Sequence, residues 1–184
     1  MSDKFKGKYR IKSTRLQNWD YGSDAAYFVS IGTQNREHYF GEITDGVMQL
    51  SEMGLIVENE WIKTFQMRPD MNLQMDEYVV MPNHFHAIII IGENEYNAPF
   101  RNAMHCVSTD GVYKNKFGPQ SKNLASIIRG FKIGVTKNAR KIHADFAWQS
   151  RYHDHIIRND QSYDKIKDYI RNNPMNWIDD KFYL

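Results

Sequence analysis

Two histidines set into an otherwise apolar strand are the first residues of this sequence that could do chemistry. In Met81-Pro82-Asn83-His84-Phe85-His86, followed by Ala87 and four isoleucines, His84 and His86 stand two apart. Side chains two apart on a β-strand leave the same face, so two imidazoles sit side by side while Phe85 enters the opposite layer. An isoleucine run of this kind belongs to a strand covered on both faces. The pair can act as two metal ligands or as a paired acid and base; the alternative is two hydrogen-bonded structural histidines. A divalent ion needs at least one more ligand, and no carboxylate stands beside the pair at metal-ligand spacing.

Further candidates lie near the C-terminus. Tyr169 and Asn173 are four apart, which puts them on one face of a helix. Tyr163, Tyr152 and Tyr113 are rivals by residue type alone, since an aromatic side chain within a helix is more often core than catalyst. His153 and His155 form a second pair two apart, with Arg151, Asp154 and Arg158 beside them as ready hydrogen-bond partners.

The elements that must position these groups follow from periodicity. Ala26–Thr33 reads as a first strand. Tyr39–Ile43 and Val47–Leu50, joined at Thr44-Asp45-Gly46, read as a small hairpin. Met53, Ile56, Val57, Trp61, Ile62 and Phe65 recur at helical spacing from an N-cap at Ser51 to about Met67, and Arg68-Pro69-Asp70 stops the helix. Met71–Met81 is a strand leading to the histidine strand. Residues 92–122 lack periodicity and form a long loop or insertion. A second helix runs from Asn123 to about Ile142, where Gly130 and Gly134 suggest close approach of another backbone or a ligand. Trp148–Arg158 is the last strand, and Asn159-Asp160 starts a final helix that Asn173-Pro174 ends. The order strand, helix, strand, strand, helix, strand, helix predicts an α+β, ferredoxin-like split βαβ fold with an antiparallel sheet and one added C-terminal helix.

Length and composition predict one soluble globular domain over residues 1–184, with 1–20 as a basic N-terminal arm. No apolar leader is visible, no apolar run is long enough to span a membrane, and Cys106 stands alone, so the expectation is a reducing cytoplasm. The net charge of +2 hides a segregation. Lys4, Lys6, Lys8, Arg10, Lys12 and Arg15 face one acid, and residues 122–141 carry Lys122, Arg129, Lys132, Lys137, Arg140 and Lys141 with none. Glu42 to Glu77 is acidic instead. A basic arm and a basic helix suit a polyanion, and a solvated helix face with a frayed terminus reads equally well from charge alone.

Together these residues resemble a known family. Met81–His86 with its isoleucine run is similar to the His-hydrophobe-His signature of the HUH single-strand endonucleases, and most of all to the REP-associated tyrosine transposase group. Tyr27–Ser30 with Thr33–Arg36, Ile127–Lys132, Trp148–Arg158 and Tyr169–Pro174 also resemble that group, in the same order; residues 93–113 do not. The resemblance implies that His84, His86 and Asn173 hold a divalent ion, Mg²⁺ or Mn²⁺. Better-known relatives carry Gln where this chain has Asn173. It further implies that Tyr169 attacks a DNA phosphate, giving a 5′-phosphotyrosine and a free 3′-OH, so that single-stranded, hairpin-forming DNA is nicked and rejoined. Lys8, Arg10, Arg129, Lys132, Arg151 and Arg158 are the candidate DNA contacts. The alternative is a non-catalytic nucleic-acid-binding module of the same fold, and a small zinc hydrolase is a third reading. Whether the chain acts as a monomer or homodimer is left open.

Overall fold

The structure is a computed structural model and describes residues 15–16, 19–98 and 121–183. Lys8, Arg10, Tyr113 and most of the expected loop at 92–122 fall outside the described residues. Four strands form the main sheet: β1 (Ala25–Gly32), β4 (Leu73–Met81), β5 (His84–Ile91) and β6 (His153–Ile157), in the order β4-β5-β1-β6. Every neighbouring pair is antiparallel. With α1 (Glu52–Gln66) between β1 and β4 and α2 (Leu124–Ala139) between β5 and β6, this is the split βαβ order expected, and α3 (Asp160–Asn172) is the added helix.

The alternation of β5 sorts the molecule into layers. Phe85, Ala87, Ile89 and Ile91 join Val57 and Trp61 of α1 and Ile127, Phe131 and Val135 of α2 in the larger core. Trp61, Phe85 and Phe131 lie 5.0–5.3 Å apart, centroid to centroid. The opposite face of the sheet contributes Phe28, Ile88 and Ile157 to a smaller core with Tyr163, Ile166 and Ile170 of α3. The histidines are on this second face, under α3.

The hairpin of β2 (Gly41–Thr44) and β3 (Val47–Leu50) stands as its own two-stranded sheet. Its Asp45-Gly46 turn has positive φ at both residues, the geometry that matches strand twist. Ser51 caps α1 as expected, accepting from the Gly54 amide at 3.1 Å while donating to the Tyr39 carbonyl at 2.7 Å. The close approach expected at Gly130 and Gly134 comes from side chains: the Arg68 guanidinium and the Glu60 carboxylate take the space a Cβ would need. β6 is shorter than the Trp148–Arg158 expected. Only an isolated bridge joins Trp148 to Thr33, and between that bridge and the Ser30–His153 pair three steps of β1 are matched by five on the other side. The surplus residues leave the ladder, as in a β-bulge.

Candidate active site

The turn that precedes β5 sets the first histidine. Asn83 is buried, and its side-chain amide donates to the carbonyls of Arg36 at 3.1 Å and Phe182 at 2.7 Å. Its Oδ1 is therefore left to accept from His84 Nδ1, 2.9 Å away. That network assigns the proton to Nδ1 and leaves a lone pair on Nε2, the tautomer a metal ligand needs. His84 Nε2 is buried and has no hydrogen-bond partner among the described residues. Burial holds the His84 pKa well below its ordinary value, opposed by the Asp180 charge and the Asn173 side chain. His86 is also lowered, first by burial and then by His84, whose ring centroid is 4.5 Å away. Both imidazoles are thus neutral, as ligation requires.

The helix α3 brings the other two expected residues to the same place. Its core-facing stripe, the half-buried Tyr163 and Ile166 and the buried Ile170, leads to the C-cap Asn173, and Tyr169 flanks the stripe at 41% exposure. Ion pairs from Lys167 to Asp76 (2.9 Å) and Arg171 to Glu77 (2.8 Å), with a Tyr163–Asp76 hydrogen bond, dock the helix on β4. Asp76 and Glu77 meet α3 together because the β4 register shifts between Met75 and Tyr78. The Tyr169 hydroxyl lies 3.2 Å from His86 Nε2. Asn173 is buried, and its Oδ1 has no hydrogen-bond partner among the described residues.

The residue missed in the sequence is Asp180. It follows a 3₁₀ turn at Trp177–Asp179, which folds the end of the chain back over the histidines. Asp180 Oδ2 accepts from Tyr169 at 3.2 Å and from Asn173 Nδ2 at 3.0 Å, and Oδ1 accepts from the Phe182 amide at 2.7 Å. His84, His86 and Asp180 offer ligand atoms within 4.8 Å of one another and could hold a metal ion. The expectation that no carboxylate accompanies the pair holds along the sequence and fails in space. Only the run of two acids beyond Pro174 hinted at it. Burial, and then Asp180, push the Tyr169 phenol up to about 12. Phe182 stacks on His84 at 4.4 Å, covering the pair.

The rival residues fall elsewhere. Tyr152 accepts from Arg15, and Tyr163 is committed to Asp76. His153 and His155 are exposed on the edge strand β6, and neither belongs to the metal-capable cluster. Arg129 and Lys132 line an open groove on α2, Arg151 lines a second, and the Arg158 guanidinium lies 6.0 Å from the Trp19 ring centroid.

The fold is that of a REP-associated tyrosine transposase. The structure of such a transposase bound to a REP hairpin aligns with 91% of this chain and 74% of its own at a TM-score of 0.58, with 18% sequence identity. An uncharacterized protein of Haemophilus influenzae strain Rd is 37% identical over 182 residues, 97% of this chain and 96% of its own length. The chain belongs to the same family as that protein. No family model matches the chain, and no helix among the described residues is long and apolar enough to cross a membrane.

Proposed function

We propose that this protein nicks and rejoins single-stranded, hairpin-forming DNA with Tyr169 as the nucleophile. The observation that carries the reading is the Tyr169 hydroxyl, held 3.2 Å from His86 Nε2 and 3.2 Å from Asp180 Oδ2 beside a buried, neutral histidine pair. The transposase of the same fold was seen on a REP hairpin, which supports a hairpin-forming strand as substrate.

His84, His86 and Asp180, joined by Asn173 Oδ1, which has no hydrogen-bond partner among the described residues, fit a divalent ion such as Mg²⁺ or Mn²⁺. When bound, such an ion would stabilise the charge that builds on the phosphate oxygens in the transition state. The rest falls to the chain itself. At about 12, the phenol is neutral near pH 7 and needs a proton acceptor; with both imidazoles given to the ion, the carboxylate oxygen Asp180 Oδ2, which accepts from the hydroxyl at 3.2 Å, is the group that can take the proton. The Tyr169 oxygen attacks phosphorus, the bond from phosphorus to the 3′-oxygen breaks, and that oxygen takes up a proton. The 5′-phosphotyrosine ester keeps the energy of the broken bond, so the 3′-OH can reseal the strand without ATP. Phe182 has to leave His84 before a phosphate can approach the pair.

Incubating the protein with labelled hairpin DNA and Mn²⁺ or Mg²⁺ is expected to give a covalent adduct that Tyr169→Phe and His84→Ala abolish and His153→Ala keeps. An adduct that persists in Tyr169→Phe overturns the assignment. The covering of both histidines also suits a binding-only module. That reading predicts DNA binding with no adduct under any metal.

A further inference from the structure

Away from the histidines, an open groove of about 1050 Å³ runs along α2 against the segment 147–152. One helical face supplies it with Arg129, Lys132, Lys137 and Arg140, spaced by three to five residues, and Ile133 lies among these cations 60% exposed. Among the described residues, no carboxylate lines this groove. Lys132 is half-buried, its ammonium donates to the Gln149 carbonyl at 2.6 Å, and burial alone pushes its pKa down to about 8. An ammonium held in place by one backbone carbonyl keeps two further N–H donors for an anion in the groove.

The groove does not end at α2. Trp148, Gln149 and Ser150 also line a second groove, of about 660 Å³, which adds Arg36 and Arg151 and, among the described residues, again no carboxylate. Arg36 connects this second groove to the catalytic face in two ways. Its carbonyl holds Asn83, the partner of His84, and its guanidinium lies 5.8 Å from the ring centroid of Phe182, which stacks on His84. The two grooves share Trp148, Gln149 and Ser150, so their basic side chains run from the middle of α2 to Arg36, whose guanidinium is near the ring that covers the histidine pair.

Building on the proposed strand-cutting function, we propose that this trough is the track for the single strand flanking the cut. Phosphates lie along Lys132, Lys137 and Arg140 and then Arg151 and Arg36, with a base or sugar against Ile133, and the strand is delivered to Tyr169. An apolar side chain amid cations suits a strand whose base faces are uncovered; a duplex hides those faces and presents phosphates alone.

The test measures binding without chemistry, by fluorescence anisotropy of a labelled hairpin with single-stranded flanks, on the full chain carrying Tyr169→Phe and without metal. Lys137→Gln with Arg151→Gln is expected to weaken binding about tenfold and to flatten the slope of log affinity against log salt by ~0.7 per cation removed. Ile133→Ser is expected to weaken binding of the flanked hairpin and leave that of a blunt hairpin alone. Lys63→Gln, on α1, is expected to change neither, and thermal melts of all variants serve to confirm folding. Unchanged affinity in the folded double variant overturns the track, as does equal loss for blunt and flanked hairpins. Displacement by polyglutamate at the same charge concentration as unlabelled strand also overturns it, because the site then reads charge alone. The adduct assay on wild type separates the two proposals. An adduct with groove-independent binding fails the track only; groove-dependent binding with no adduct fails the cutting reading only.

Discussion

Asp180 shows how much one side chain adds at the residue scale. It accepts from Tyr169 and Asn173 and completes the set that could hold an ion. Asp180→Asn keeps the shape and removes the charge, so Mn²⁺ affinity measured by calorimetry is expected to fall at least about tenfold, while His153→Ala leaves it unchanged. Equal affinity in the Asn variant would take Asp180 out of the ion's ligand set. Lys132 gives a pH dependence of definite sign. Its folded pKa of about 8 lies below the ordinary lysine value of ~10.4, so the unfolded chain binds the extra proton between the two. Stability from this group is complete above the unfolded value and lost as pH falls through the folded one. Against Lys132→Met, the wild type is therefore expected to gain in Tm between pH 7 and pH 10. A difference that stays flat across that range would show that the ammonium is not desolvated in solution.

At the scale of elements, packing distances determine what each helix tolerates. An added Cβ at Gly54 would fall 2.2 Å from the Phe40 carbonyl oxygen, where α1 crosses the chain leading into β2. Backbone cannot step aside as a flexible side chain can, so Gly54→Ala is expected to cost roughly 2 kcal/mol or more by urea denaturation. A near-wild-type midpoint would mean that α1 can lift away. Gly134 differs in kind, because its intruder is the end of the Glu60 side chain, which can rotate. The ends of α1 were legible in the sequence because Ser51 and Arg68-Pro69 are local signals. The true length of β6 was not, because the surplus residues before His153 become visible only against the register of β1.

Across the whole molecule, Asn83 ties three distant stretches together. It reaches the Arg36 and Phe182 carbonyls with its amide, and Thr33 donates both its backbone amide (2.8 Å) and its hydroxyl (3.0 Å) to the Asn83 carbonyl. Asn83→Ala leaves the side-chain partners unsatisfied, at about 1 to 3 kcal/mol by the usual cost of a buried polar group left alone. Hydrogen exchange is expected to rise at residues 180–183 before the sheet is affected, and protection of those amides at the wild-type level would show that the tail is held without Asn83.

What the sequence determined by itself was whatever depends on near neighbours: the same-face histidine pair, the helix face shared by Tyr169 and Asn173, the caps, and the order of elements that implies the sheet. Those follow from the two-residue and 3.6-residue periods and need no distant partner. The tertiary structure decided what depends on distance through space. It set the docking of α3 on β4 through Asp76 and Glu77, and it determined the continuity of the basic grooves past Trp148. It also brought Asp180 onto a strand some ninety residues earlier, through a turn whose own residues carry no sign of what lies beneath them.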